Sequence, residues 1–438
     1  MFYSKWEQRG WYMYDWANST FASTVITLFL GPYLTALAKA AAGADGRVHP
    51  LGIPVDPRAW WGYLVSLSVA MEVLVLPLVG TMADFSAHKK RLMGILAYTG
   101  ALATAAMFFL QGQAYLAGGM LFLIANLAFG ASIVVYNSFL PEIAPPEQRD
   151  AVSSNGWGIG YLGGGLLLAL NLVLFSRSEA LGISEALAVR INLASAGVWW
   201  ALFTVIPLAA LRNRPPSRPH LPGEGLMHGF RQFADTLRDM RHYPQTLRFL
   251  LAYLIYNDAV QAVITLAAQF GNDELKIPMA DLTMVILMVQ FVAFFGALLF
   301  DRIARWIGTK PAVIVSLLIW TGVLVAMYVS VRNTRQFFIA AAVVAIVLGG
   351  TQALSRSLFS QMIPRGREGG YFSVYEISDK GTSWLCPLLF GLALQFTGSY
   401  RLAILSLVTF FVGGMLVLLA VNVPRAAREA GNVAPLPV

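Results

Sequence analysis

The sequence predicts an all-α membrane protein whose twelve transmembrane helices form two six-helix bundles. Hydrophobic residues make up 57% of the chain and charged residues only 12%, and the mean hydropathy is +0.63. A soluble domain carries about 25% charged residues, so this composition excludes an ordinary soluble protein. The 438 residues suffice for a dozen apolar segments. Hydropathy places these segments at 11–38, 60–82, 92–111, 115–140, 152–175, 190–211, 247–271, 280–301, 311–331, 336–362, 371–396 and 401–423.

The basic residues predict how the chain lies in the membrane. An even number of spans puts both termini on one side, and the loops of that side carry more than twice as many Lys and Arg residues as the loops opposite. The positive-inside rule therefore predicts that both termini are cytoplasmic. The plasma (inner) membrane is the expected location. The net charge of +8 is thus a topology signal, and no nucleic-acid partner is expected.

The longest loop divides the chain into an N-terminal bundle (1–211), a linker (212–246) and a C-terminal bundle (247–438). The linker begins with RNRPPSRPHLPG, and apolar residues then recur at helical spacing among basic ones, namely Leu226, Phe230, Phe233, Leu237 and Met240. This pattern predicts an amphipathic helix at the inner membrane surface. The helix is either a spacer that tethers the two halves or a docking site for a partner.

Corresponding inner loops of the two halves carry corresponding signals. The loop from Gly80 to Arg91 resembles the signature loop of the major facilitator superfamily, and a second copy follows span eight at Asp301. Glycine lets two helices approach closely, and an aspartate can cap the N-terminus of a neighbouring helix. The inner loops therefore predict a gate formed by Gly80, Asp84, Lys89, Lys90, Arg91, Glu142, Arg149, Asp301 and Arg302.

Four stretches resemble one family within that superfamily. They are YDWANSTF from Tyr14, the run 134–165 that begins VVYNSFLPEIAPPEQRD, the run GGTQALSRSLFSQMIPRGRE from Gly349, and the segment 380–391. Together they resemble the vacuole effluxer family, the relatives of the autophagy-related exporters of fungal vacuoles. The resemblance implies the major facilitator fold and an efflux permease. For the fungal members it implies amino-acid substrates.

Polar and charged side chains within the spans are the candidate substrate and proton sites. A charge at bilayer depth costs roughly 2.5–3.5 kcal/mol on insertion scales, so such residues are functional candidates by default. They are Asp15, Asn18, Glu72, Asp258, Arg356, Glu376, Asp379 and Lys380. The five acids exceed the two bases, which indicates that at least one carboxyl group is protonated or faces a water-filled cavity. Asp258 is the expected titrating group, because it is deep and has no base near it in sequence.

Structural roles remain open for several of these residues. Glu376 and Lys380 are four residues apart and can form a pair within one helix. Arg356 can bridge span ten to span eleven, and Asp15 can simply hold the inner end of span one. Polar neighbours that can face the same cavity are Tyr136, Asn137, Asn155 and Gln352.

These residues predict a secondary active transporter that works by alternating access, with proton-coupled export of a small polar or zwitterionic solute such as an amino acid. The alternatives are a transporter of lipids, drugs or other amphipathic solutes, and a non-transporting sensor or lipid-handling enzyme. All five histidines lie in predicted loops and there is one cysteine, Cys386. We therefore expect no enzyme activity, no metal and no cofactor. The expected partners are the solute, protons and the lipid bilayer, and the expected state is a monomer.

Overall fold

The computed structural model describes residues 3–215, 235–236, 238–380 and 385–432, and most of these residues are helical. The principal helices are α1 (Lys5–Ala40), α2 (Trp60–Phe85), α3 (Lys89–Ala106), α4 (Tyr115–Asn137), α5 (Arg149–Ser176), α6 (Glu185–Ala210), α7 (Pro244–Asp273), α8 (Met279–Ile307), α9 (Thr309–Val329), α10 (Thr334–Gln361), α11 (Glu368–Lys380), α12 (Leu385–Thr397), α13 (Tyr400–Leu419) and α14 (Val423–Glu429). Within the described ranges, 11 helices are long and apolar enough to cross a membrane. Helices α11 and α12 together occupy the predicted eleventh span.

The first helix begins earlier than its hydropathy predicts. It starts at Lys5 rather than at residue 11, because its polar first turns are buried against the protein. The Gln8 side chain donates to the carbonyl of Ile143 at 3.0 Å, and Glu7 pairs with Arg214 at 3.0 Å. Residues Phe21–Phe29 of this helix are π-helical. Hydropathy detects only the apolar part of a helix, so it misses a polar first turn that is buried against the rest of the protein.

Short polar residues begin several of the helices. The side chain of Ser184 accepts from the amide of Leu187 at the start of α6, and Asn333 accepts from Gln336 at the start of α10. These contacts satisfy backbone donors that have no partner within the helix. Proline stands in the first turn of α7, where its missing N–H leaves no intrahelical bond unmade.

The buried apolar side chains form two clusters, one within residues 11–211 and one within residues 240–426. The two cores lie on either side of the long loop, and the division into bundles 1–211 and 247–438 stays a prediction. Residues 216–234 and 237 lie outside the described part of the chain, and with them most of the predicted amphipathic helix.

The two halves are in contact near the ends of helices that lie beside the chain termini. We call this end of the molecule the terminal face. Helix α1 begins there, and Asn432, which follows α14, donates to the carbonyls of Gln361 and Ile363 there. Helix α2 packs on α11, and α5 packs on α8 and α10. At the first crossing the backbones of Gly80 and Gly369 touch, and a Cβ atom on either residue would collide with the other's carbonyl. The terminal face is therefore closed in this structure.

Candidate functional site

A buried ion pair joins the two halves near the terminal face. Arg356 extends from α10, and both of its terminal nitrogens lie 3.3 Å from Oδ2 of Asp15 on α1. The Arg356 side chain is only 3% exposed. Its Nε donates to the Ser153 hydroxyl and its Nη2 to the Ser153 carbonyl, both at 2.9 Å. Arg356 thus bridges span ten to spans one and five across the halves. A link to span eleven, the alternative that the sequence left open, runs through the Asn137 side chain, which contacts both Arg356 and Glu376.

Aromatic rings enclose the guanidinium group. Its central carbon lies 4.7 Å from the ring centroid of Trp11, 5.3 Å from that of Trp157 and 5.7 Å from that of Tyr136. Each of these distances is within the range of a cation–π contact. The Tyr136 hydroxyl also donates to Oδ2 of Asp15 at 2.7 Å. The cation is therefore held by one carboxylate, two oxygens of Ser153 and three ring faces.

Glycines of α5 make room for this arrangement. A Cβ atom at Gly156 would lie 2.7 Å from Oδ2 of Asp15 and 2.8 Å from the Trp11 ring. A Cβ atom at Gly160 would lie 2.7 Å from the Ser19 hydroxyl. Both distances are below any normal contact, so the glycine-rich run of α5 sets how closely α1 can approach.

We expect Gly156→Ala to destabilise the protein by about 1–3 kcal/mol, because the added methyl group must displace Asp15 or Trp11. Thermal unfolding in detergent, followed by tryptophan fluorescence, measures the effect. Gly322→Ala is the matched control, since a Cβ atom on that helical glycine meets nothing within 4 Å. Equal melting temperatures for the two variants would contradict the packing argument.

A second polar link joins α4 of the N-terminal half to α11 of the C-terminal half. The Asn137 amide donates to Oε1 of Glu376 at 2.7 Å, and its oxygen lies 3.4 Å from Nη1 of Arg356. Glu376 therefore belongs to the Arg356 network. The Lys380 side chain lies outside the described part of the chain, so the pair predicted between Glu376 and Lys380 stays a prediction.

Four further hydrogen bonds involve predicted site or cavity residues. Oδ1 of Asp379 accepts from the Tyr253 hydroxyl at 2.7 Å and from the Asn257 amide at 2.8 Å. The Tyr161 hydroxyl of α5 donates to Gln352 of α10, which is a further link between the halves. The Asn155 amide bonds to the carbonyl of Ala151 on its own helix.

The other predicted substrate residues lie apart from the Arg356 network. Asp258 is 1% exposed on α7, and its Oδ2 accepts from the backbone amide of Cys386 at the start of α12. Its Oδ1 has no partner among the described residues. Glu72 is buried on α2 and accepts from the Asn126 amide at 3.1 Å. Asn18 is buried one turn after Tyr14 in the N-terminal core.

Asp84 contacts the other half at the terminal face. Its two carboxylate oxygens accept from the backbone amides of Gly369 and Gly370 at 2.6 and 2.8 Å. A carboxylate is favoured at a helix N-terminus, where free amides and the helix dipole are both positive. Asp84 of α2 therefore caps α11, and this contact forms only while the halves are together here.

We expect Asp84→Asn to slow turnover several-fold and to leave the apparent affinity for solute nearly unchanged. An asparagine side chain lacks the charge and accepts with one oxygen only, so the closed state loses about 0.3–2 kcal/mol. Initial-rate transport over a range of solute concentrations separates the two parameters. Asp56→Asn is the control, since Asp56 lies in an exposed loop and pairs with Arg58 nearby. Weaker binding at unchanged turnover would contradict a gating role.

Some of the remaining predicted gate residues contact the opposite half of the molecule, and others do not. Arg149 makes such a contact, because its Nη1 donates to the carbonyl of Ser360 on α10 at 2.6 Å. Lys89 and Glu142 pair at 2.5 Å within the N-terminal half. The backbone amide of Lys90 donates to the Asn213 side chain. The side chains of Arg91 and Arg302 are exposed. Asp301 pairs with Arg305, one turn away on the same helix. Contacts between the halves are therefore present at Gly80, Asp84 and Arg149. Gating by any of the nine residues stays a prediction.

Several residues of the site carried no distinctive signal in the sequence. Trp11, Ser153 and Trp157 contact Arg356, yet aromatic and small polar residues are ordinary in apolar spans. Thr309 donates to Asp150 at 2.5 Å and so links α9 to α5 across the halves. Trp11, Ser153 and Trp157 lie within or beside the stretches that carry the family resemblance, which is the one clue that the sequence offered.

Comparison with known proteins identifies the same family that the sequence motifs resemble. The family described as "Vacuole effluxer Atg22 like" matches residues 3–431. A Bacillus subtilis protein described as an uncharacterized MFS-type transporter, YxiO, is 29% identical over 416 residues, which is 94% of each chain. Autophagy-related protein 22 of Coccidioides immitis is 26% identical over 541 residues, covering 98% of this chain and 89% of its own.

Solved structures share the fold. A bacterial homologue of the iron transporter ferroportin, in an outward-facing state, superposes with a TM-score of 0.68 at 13% identity, covering 95% of this chain and 98% of its own. The major facilitator superfamily transporter FucP, in the outward conformation, gives 0.68 at 12% identity with the same coverage. These likenesses confirm the predicted twelve-helix major facilitator fold. The family match and the relatives that align over nearly the whole chain show that this is an MFS-type transporter of the vacuole effluxer (Atg22-like) family.

Proposed function

We propose that the protein is a secondary active transporter that works by alternating access and exports a small polar or zwitterionic solute, such as an amino acid, with proton coupling. The terminal face is cytoplasmic in this proposal, because the basic loops lie on the side of the termini. The membrane is the plasma (inner) membrane. The bundles 1–211 and 247–438 rock against each other around a central solute site.

The observation that carries the proposal is the charged network between the halves. Alternating access needs contacts that hold one face closed and that break when this face opens. The Arg356–Asp15 pair is such a contact, since each half supplies one of the two charges. A buried ion pair has little value as a stabilising device alone, because desolvation offsets much of its attraction. Its position between two moving halves supports a role in the transport cycle.

Proton coupling is proposed from the buried carboxyl groups away from that network. Asp258 is the first candidate, because it is 1% exposed and one of its oxygens has no described partner. A group of this kind can exchange a proton with a cavity as the two halves move. Glu72 and Asp379 are the next candidates, and both accept hydrogen bonds from neutral amides.

Purified protein in sealed lipid vesicles tests the proposal. Radiolabelled amino acids, sugars and organic anions are offered with and without an imposed pH gradient. We expect the gradient to drive accumulation of an amino acid and to leave sugars unaffected. Amino-acid flux that is indifferent to pH would remove proton coupling. Flux confined to lipids or apolar drugs would remove the polar solute.

A further inference from the structure

We propose that the pocket which holds Arg356 is a cation-binding site of the N-terminal half, and that it receives the ammonium or guanidinium group of the solute when the terminal face opens. The Arg356 pocket consists of Trp11, Asp15, Tyr136, Ser153 and Trp157. The inference rests on the proposed alternating-access function, and it names the chemical class of the solute: a compound that carries a cationic amino or guanidino group.

The pocket belongs to one half of the molecule, whereas its occupant belongs to the other. Its five residues lie on α1, α4 and α5, all within the bundle 1–211. Arg356 lies on α10 of the C-terminal half. When the halves separate at the terminal face, Arg356 leaves with α10 and the pocket stays behind. The opened cavity then exposes one carboxylate beside three aromatic faces, a combination that binds organic cations.

Contacts that do not involve Arg356 hold the pocket in shape. The rings of Trp11 and Tyr136 stack with centroids 4.2 Å apart, and the Trp11 indole donates to the Tyr136 carbonyl at 2.9 Å. The Tyr136 hydroxyl fixes Asp15 at 2.7 Å. Gly156 brings α5 against both Asp15 and Trp11. The pocket is therefore preorganised for a cation before one arrives.

Competition between the solute and Arg356 follows from this geometry. One pocket cannot hold two cations, so a solute cation binds only after Arg356 has left, and Arg356 returns only after the solute has gone. Binding thereby favours the state that is open at the terminal face, since a ligand shifts an equilibrium towards the state that it binds better. The freed guanidinium of Arg356 is then available to a carboxylate, for which its planar fork is suited.

Chemical rescue tests the pocket directly. In Arg356→Ala the pocket is vacant, and methylguanidinium is the probe because it reproduces the missing group. We expect the variant to melt several degrees below wild type, and methylguanidinium at millimolar concentration to restore this loss saturably. Sodium chloride at equal ionic strength and urea, a planar neutral analogue, should restore little. The double variant Arg356→Ala/Asp15→Asn should not respond. Rescue no greater than that by urea, or equal rescue in the double variant, would overturn the proposal.

A second measurement keeps Arg356 in place, in case the alanine variant does not fold. Ser360 is buried on α10, and its carbonyl binds Arg149 across the halves. In a Cys386→Ser background, Ser360→Cys reports opening of the terminal face through its rate of maleimide labelling. We expect methylguanidinium to raise that rate several-fold and urea to leave it unchanged. An unchanged rate with methylguanidinium counts against the pocket.

The pocket and the transport proposal can fail separately. Saturable rescue with no flux of any solute in vesicles supports a cation-binding pocket and contradicts the transport proposal. Solute flux without rescue and without enhanced labelling overturns the pocket alone.

Discussion

Arg356→Gln is expected to shift the protein towards the state that is open at the terminal face. The substitution leaves Asp15 without its cation in the closed state, and breaking a buried pair in this way costs about 3–5 kcal/mol. When the face is open, water reaches both groups and the loss is small. The ratio of closed to open molecules should therefore fall by about 100-fold or more. Transport should slow as well, because the cycle loses its stable closed state on this side.

Distances between spin labels measure this shift. His88 and Trp306 are exposed near the terminal face, one on each half, and cysteines there can carry labels in a Cys386→Ser background. We expect longer distances in Arg356→Gln than in the labelled parent. The distances in Arg356→Lys should lie between those of Arg356→Gln and the parent, because lysine keeps the charge but lacks the planar guanidinium group that binds Ser153.

Arg425→Gln is the matched control, because Arg425 is exposed and pairs with Glu429 within α14. It should leave the distances unchanged. A distribution in Arg356→Gln equal to that of the control would show that the Arg356–Asp15 pair does not hold this face closed.

Asp258→Asn is expected to abolish accumulation driven by a pH gradient, while exchange of solute for solute continues. Asparagine has nearly the same shape and can still accept from the Cys386 amide, but it cannot gain or lose a proton. Across one pH unit, a single coupled proton supports about tenfold accumulation. The variant should show no accumulation at equilibrium. Accumulation is measured as the ratio of internal to external labelled solute.

Glu185→Gln provides the control for a lost carboxylate, since Glu185 is exposed in the first turn of α6. It should accumulate solute as the parent does. If Asp258→Asn also accumulates solute normally, the coupling group is elsewhere, and Glu72→Gln and Asp379→Asn become the next variants to measure.

The sequence alone was enough to predict the twelve-helix architecture and the family. A bilayer admits only segments of about 20 apolar residues, so the number and order of the helices follow from hydropathy. Charge inside those segments is costly, and Asp15, Arg356 and Glu376 stood out for that reason. The capping ability of Asp84 was also predictable, because an aspartate between a glycine and a basic cluster suits a helix N-terminus.

Only the tertiary structure decided which of these groups meet. Asp15 and Arg356 are 341 residues apart in the chain, and nothing local in either span favours the other as its partner. The two loops that look alike in sequence also differ in space, since Asp84 caps α11 across the halves and Asp301 pairs with Arg305 on its own helix. The physical reason is that hydropathy records only how deeply a residue lies in the membrane. Which neighbour it contacts depends on how helices pack, and here the close approach permitted by Gly80, Gly156 and Gly369 sets that packing.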